Sequence, residues 1–189
     1  MMLSPAMALR TAAMMVAMML PSLWPALRRY HRTIGARGDS QAYCRTLAVA
    51  TGYVGVWAAI GMAMFALDAR VTPVAAPGII LAAGALQLTR WKARQLARCR
   101  EVRQPTAGRS MSNFSSWADG VRLGFHCAMS CVAPMAVLLA IGLMDVRTMV
   151  VVTAAITAER LMPSGARVSR ATGAIALGAG ALMLFVGAG

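Results

Sequence analysis

Two cysteines four residues apart in a long apolar run, Cys127 and Cys131 in LGFHCAMSCVAPMAVLLAIGLM (Leu123 to Met144), are the residues of this chain best suited to chemistry. On a helix they fall on one face a turn apart, with Ser130 close by and His126 about 100° around the axis. Thiols, imidazole and thioethers are ligands for Cu(I) or Zn(II), and a Cys pair at helical spacing can form half of such a site. The same pair also makes ordinary packing, because free cysteine is among the most buried residue types. A second sulfur-bearing stretch, MMVAMMLPSLWP, places Met14 over Met18 and Met15 over Met19, with Pro21 and Pro25 at its inner end. Methionine is equally an apolar filler. Glu159, followed by Arg160, ends a third apolar run; it meets headgroup water or its neighbour, or it faces the bundle and becomes a ligand or proton site.

The elements that carry these residues are membrane helices. Of 189 residues, 59% are hydrophobic and only 13% charged, and the mean hydropathy is +0.63, too apolar for a soluble domain. Apolar segments are expected at 7–27, 47–67, 74–89, 123–144, 146–162 and 171–188, with loops at 28–46, 90–122 and 160–170. The fold class is therefore all-α, a single polytopic bundle of about six transmembrane helices. Gly52, Gly55 and Gly61 in the second segment allow close helix approach, and the Gly and Ala of the sixth read as scaffold. The stretch Trp91 to Arg103 alternates basic and apolar residues without a breaker, which predicts a helix continuing past the membrane or lying in its interface. From Pro105 to Asp119 the Ser, Gly and Asn content reads as a flexible loop.

The formal charge of +13 is not a nucleic-acid signal, because the basic residues lie between apolar segments rather than in one patch. Of the 19 Lys and Arg, all but Arg10, Arg70 and Arg147 fall in the loops after segments one, three and five. The positive-inside rule then puts those loops in the cytoplasm and both termini outside. Counting helix rise from the inner end, Met18 and Met19 come to roughly 12 to 14 Å depth and Cys131 to roughly 12 Å. Cys127 lies at roughly 6 Å, and Glu159 and Gln87 within about 5 Å of that face. No phosphate-binding loop, dinucleotide fingerprint or hydrolase elbow is present, so an enzyme is not the expectation.

Several motifs occur in a specific order: AMMLPS at Ala17 to Ser22, QLT at Gln87 to Thr89 followed by Lys92, Cys99-Arg100, Gly124 with Cys127 and Cys131, and Glu159 with a basic residue and then Pro163. Together they resemble an uncharacterised bacterial family of predicted metal-binding integral membrane proteins, over nearly the whole chain. The chain departs from that pattern at Gln95, where a Cys is usual, at Ser130-Cys131-Val132 in place of Cys-Cys-Trp, and at Arg90 in place of Pro. These departures shift the weight toward Met and His donors, or toward a divergent member that no longer binds metal.

The resemblance implies a multi-pass protein of the bacterial cytoplasmic (inner) membrane that handles a soft metal by binding, delivery or transport. Copper is the expected metal, and Cys127, Cys131, His126, Met18, Met19 and Glu159 are the candidate ligands. The expected partners are the lipid bilayer and either a metalloprotein or other membrane subunits, with no nucleic acid. The alternative is a non-catalytic structural or assembly subunit, whose small-residue helices pack on other membrane proteins and whose sulfurs fill space.

Overall fold

A computed structural model describes residues 5–36, 40–68, 70–101, 112–143, 145–162 and 164–187. Among the described residues the fold is all-helical, without strands. Its helices are α1 (Pro5–Gly35), α2 (Ala42–Asp68), α3 (Ala76–Leu88, after a 3-10 turn at Pro73–Ala75), α4 (Arg90–Glu101), α5 (Asn113–Ile141), α6 (Val146–Leu161) and α7 (Gly165–Gly187). Four of them, α1, α2, α5 and α7, are long and apolar enough to cross a membrane. Helix α3, with 13 residues, and α6, with 16, reach about 20 and 24 Å, short of a hydrocarbon core of about 30 Å.

Helix α1 continues past Leu27 to Gly35 because its packing continues: Ile34 is buried, and Tyr30 donates to Ser116 Oγ at 3.0 Å. Helix α5 starts at Asn113, ten residues before the apolar run, in a stretch whose composition suggested a loop. The same Ser residues are a helix-start signal: the Ser115 amide donates to Ser112 Oγ (3.0 Å) and the Ser112 amide to Ser115 Oγ (3.1 Å), a reciprocal cap. The rest of the expected loop, residues 102–111, lies outside the described residues.

Thr89 divides α3 from α4. Its backbone is extended (φ −73°, ψ 153°), its hydroxyl donates to Leu86 O (2.7 Å), and its Oγ1 accepts the Lys92 amide at 3.3 Å. One side chain thus ends the first helix and caps the second. Arg90 then occupies the first helical position of α4.

The chain divides into two compact units, Met1–Met62 with Ala97–Met129, and Ala63–Leu96 with Ser130–Gly189. In the first, α2 is flanked by α1 and α5 through glycines. A Cβ on Gly61 would meet Ala12 Cα at 2.7 Å, one on Gly120 would strike Val49 O, and one on Gly124 would touch Val56 Cβ at 3.0 Å. Pairing of Val49 with Gly120 and Val56 with Gly124 makes α2 and α5 parallel. In the second unit α7 packs on α3 and α6, and Gly84 meets Gly173 O at 2.9 Å from its would-be Cβ. Close backbone approach of this kind is how small residues hold membrane helices together.

Candidate metal-binding residues

In the first unit the chemistry centres on Cys127. Its thiol is reduced and 1% exposed, and Tyr53 Oη lies 2.8 Å from Sγ. Parallel packing of α2 on α5 puts the phenol there. Trp57, a turn beyond Tyr53 and fully buried, stands with its ring centroid 6.4 Å from the tyrosine ring, and its Nε1 has no hydrogen-bond partner among the described residues. Met15, Met18 and Met19 are buried on α1, and Met15 Cβ lies against Gly61 of α2. His126 is half-buried and stands edge-on to Phe125, with ring centroids 6.1 Å apart.

The second unit buries a charged network. Lys92 Nζ is 2.8 Å from Glu159 Oε2 and donates to the backbone carbonyl of Ser130 at 2.5 Å, with Lys92 and Glu159 only 2% and 3% exposed. Gln87 Nε2 donates to Glu159 Oε1 (2.7 Å) and to Thr172 Oγ1 (3.0 Å), and the Thr172 hydroxyl is itself 3.0 Å from Oε1. Both oxygens of the carboxylate are thereby engaged. Arg160, beside Glu159 on the last turn of α6, donates from one terminal nitrogen to Ser130 Oγ and to Cys131 Sγ, each at 2.9 Å. The Cys131 thiol is also reduced and 1% exposed.

The Ser130 carbonyl is available to Lys92 for a local reason. Within a helix, the carbonyl of residue 130 would accept the amide of residue 134, but residue 134 is proline and has no N–H. Pro134 therefore leaves one buried acceptor open in α5, and the ammonium takes it. A charge this deeply buried is tolerated only with a full set of partners.

A model of the PpoB2 copper chaperone family matches residues 11–183. The chain belongs to that family. Neither the curated proteins nor the solved structures contain a match to it. Membership in the PpoB2 family points to a copper-related function, and buried thiols and thioethers are side chains of the type that selects Cu(I).

For a PpoB2 family member the candidate ligands are distributed as follows. Met18, Met19, His126 and Cys127 belong to the first unit, and Cys131 and Glu159 to the second. Among the described residues no three His, Cys, Asp or Glu are gathered as a metal cage, so thioethers would have to share in holding the ion. Cys44 is exposed near the start of α2, and Cys99 lies on α4. Sequence reasoning missed Tyr53, Trp57 and the part played by Pro134. The signals were present: a tyrosine inside an apolar span, and a proline four residues after Ser130.

Proposed function

We propose that this chain is a membrane-embedded copper carrier that binds Cu(I) through buried thiols and passes it to a partner metalloprotein. The observation that carries this reading is the state of Cys127 and Cys131. Both are reduced and sequestered, and each sulfur is hydrogen-bonded to a fixed polar side chain, Tyr53 or Arg160, in a chain of the copper chaperone family. Sulfurs that merely fill space do not require such partners. In the first unit Cys127 is the anchor, with Met18, Met19 and His126 as further donors. In the second, Cys131 is the donor, and Glu159 serves as the counter-ion of Lys92.

The same reading has six membrane crossings, with the short α3 and α6 completing them, both termini outside, α4 at the cytoplasmic face, and the bacterial inner membrane as the location. The 18-residue apolar windows of four helices and the distribution of basic residues support it. The rival reading, a structural or assembly subunit, drew on small-residue faces. Gly52, Gly61, Gly84, Gly120, Gly173 and Gly180 pack inside the units, which leaves fewer such faces for outside partners.

The test is copper content and thermal stability of the purified chain in mild detergent, for the wild type and for Cys127→Ser with Cys131→Ser. Stoichiometric Cu(I) lost in the double variant at unchanged stability supports the carrier. Unchanged copper removes the thiols from the mechanism. A C-terminal reporter active only in the cytoplasm would overturn the orientation.

A further inference from the structure

One stripe of α1 changes character along its length. Leu20, Trp24, Arg28 and Arg32, at successive helical turns, all face outward: Leu20 is 50% exposed, Trp24 is 58% exposed, and both arginines are exposed. The Arg28 guanidinium carbon lies 4.6 Å from the centroid of the Trp24 ring. That contact sets the cation over the indole ring, one turn beyond it on the same helix. Neither Arg28 nor Arg32 has a side-chain hydrogen bond or carboxylate partner among the described residues, and α1 contains no acidic residue.

The same end of the first unit carries further exposed aromatics. Tyr43, in the first turn of α2, is 69% exposed, and Phe114 and Trp117 of α5 are stacked with centroids 6.1 Å apart while 76% and 45% exposed. The Tyr30 to Ser116 bond ties this end of α1 to the start of α5. Apolar, then aromatic, then basic is the order in which a bilayer offers acyl chain, interface and phosphate. From Pro5 to Trp24 the helix rises about 29 Å, the thickness of a hydrocarbon core.

We infer that the stripe is a binding site for an anionic phospholipid. Its acyl chain lies along Leu20, the interface runs at Trp24, and the phosphate is held by Arg28, pre-oriented on the indole, together with Arg32. An anionic headgroup is favoured over a zwitterionic one because the stripe has two cations and no carboxylate to receive an ammonium or choline. The inference rests on the membrane reading above, and not on copper binding.

Native mass spectrometry of the full chain in detergent, offered equal amounts of phosphatidylglycerol and phosphatidylcholine with matched acyl chains, tests it. The wild type is expected to retain phosphatidylglycerol preferentially, by about fivefold for each arginine engaged. Arg28→Gln with Arg32→Gln should bring the ratio near one, and Arg28→Lys should keep most of it. Excess inorganic phosphate should leave the bound lipid in place, since the acyl chain contributes; displacement by phosphate would show an anion site without lipid and overturn the proposal. No preference in the wild type, or an unchanged preference in the glutamine variant, would equally overturn it. Helix content by circular dichroism guards against misfolding, and if the double variant misfolds, Arg32→Gln alone should lower the ratio by about fivefold. Failure of the wild type to enter phosphatidylcholine vesicles at all would instead refute the membrane reading.

Discussion

Tyr53 Oη and Cys127 Sγ lie 2.8 Å apart in the buried interior of the first unit, the phenol from α2 meeting the thiol of α5. A partner that orients and polarises a metal ligand is worth roughly 10- to 100-fold in affinity when removed. Tyr53→Phe keeps the ring and deletes the hydroxyl. It is expected to weaken Cu(I) binding by about tenfold with helix content unchanged, as measured by competition with a chromophoric Cu(I) chelator. An unchanged affinity would reduce Tyr53 to packing.

Lys92 and Glu159 should be far costlier to change singly than together. Lys92→Met leaves the carboxylate short of its cation and Glu159→Gln leaves the ammonium short of its anion, each at about 3 to 5 kcal/mol. The pair of changes removes both charges, so its cost should fall well below the sum. Denaturation of the four proteins in one detergent gives the coupling energy directly.

Pro134→Ala ought to strengthen a helix by about 3 kcal/mol on propensity alone. Here the new amide would compete with Lys92 for the Ser130 carbonyl. The substitution is therefore expected to give little gain or a loss in the wild type, and a clear gain in the background that lacks both Lys92 and Glu159 charges. The same gain in both backgrounds would separate the proline from the ion pair.

Two glycines of the first unit serve as a matched contrast. Gly120→Ala drives a methyl into the Val49 backbone carbonyl, which cannot rotate away, and should destabilise by at least about 1 to 3 kcal/mol. Gly55 has nothing within 4 Å of its would-be Cβ, so Gly55→Ala should gain up to about 1 kcal/mol of helix propensity. Thermal melting of the two variants reads the difference in sign.

Asp145 caps α6 in the loop after α5, accepting the Thr148 hydroxyl and the backbone amides of Thr148 (3.0 Å) and Arg147 (3.3 Å). These bonds, that of the Thr148 hydroxyl foremost, hold its carboxyl below the ordinary value of 3.8. A depressed value means that the cap's contribution is complete above the ordinary carboxylate range and fades as pH falls through the folded value. Hydrogen exchange at the start of α6 should then differ between wild type and Asp145→Ala near neutral pH, and converge in strong acid.

Much of the helical architecture was legible because apolar run length and breakers are local properties. The helix ends were less so. Ser112 to Ser115 read as loop by composition, although the spacing of the two hydroxyls also makes a cap, and the run 28–35 read as part of a basic loop, although α1 continues through it. At the candidate site, the sulfur positions were visible as residue types. What each thiol touches was not, since Tyr53 is 74 residues from Cys127 and Arg160 is 29 from Cys131. Such contacts arise from helix packing, which hydropathy does not encode.

The double duty of Thr89 imposes a length constraint. Because one hydroxyl closes α3 and opens α4, the rotational phase between Gln87 and Lys92 is fixed by the count of residues between them. One inserted residue would turn Lys92 by about 100° and carry it about 1.5 Å along its axis, away from both Glu159 and the Ser130 carbonyl. Leu88, Arg90 and Trp91 are exposed and can vary in identity. Insertions and deletions should be absent from this interval in any relative that retains the Lys92–Glu159 pair.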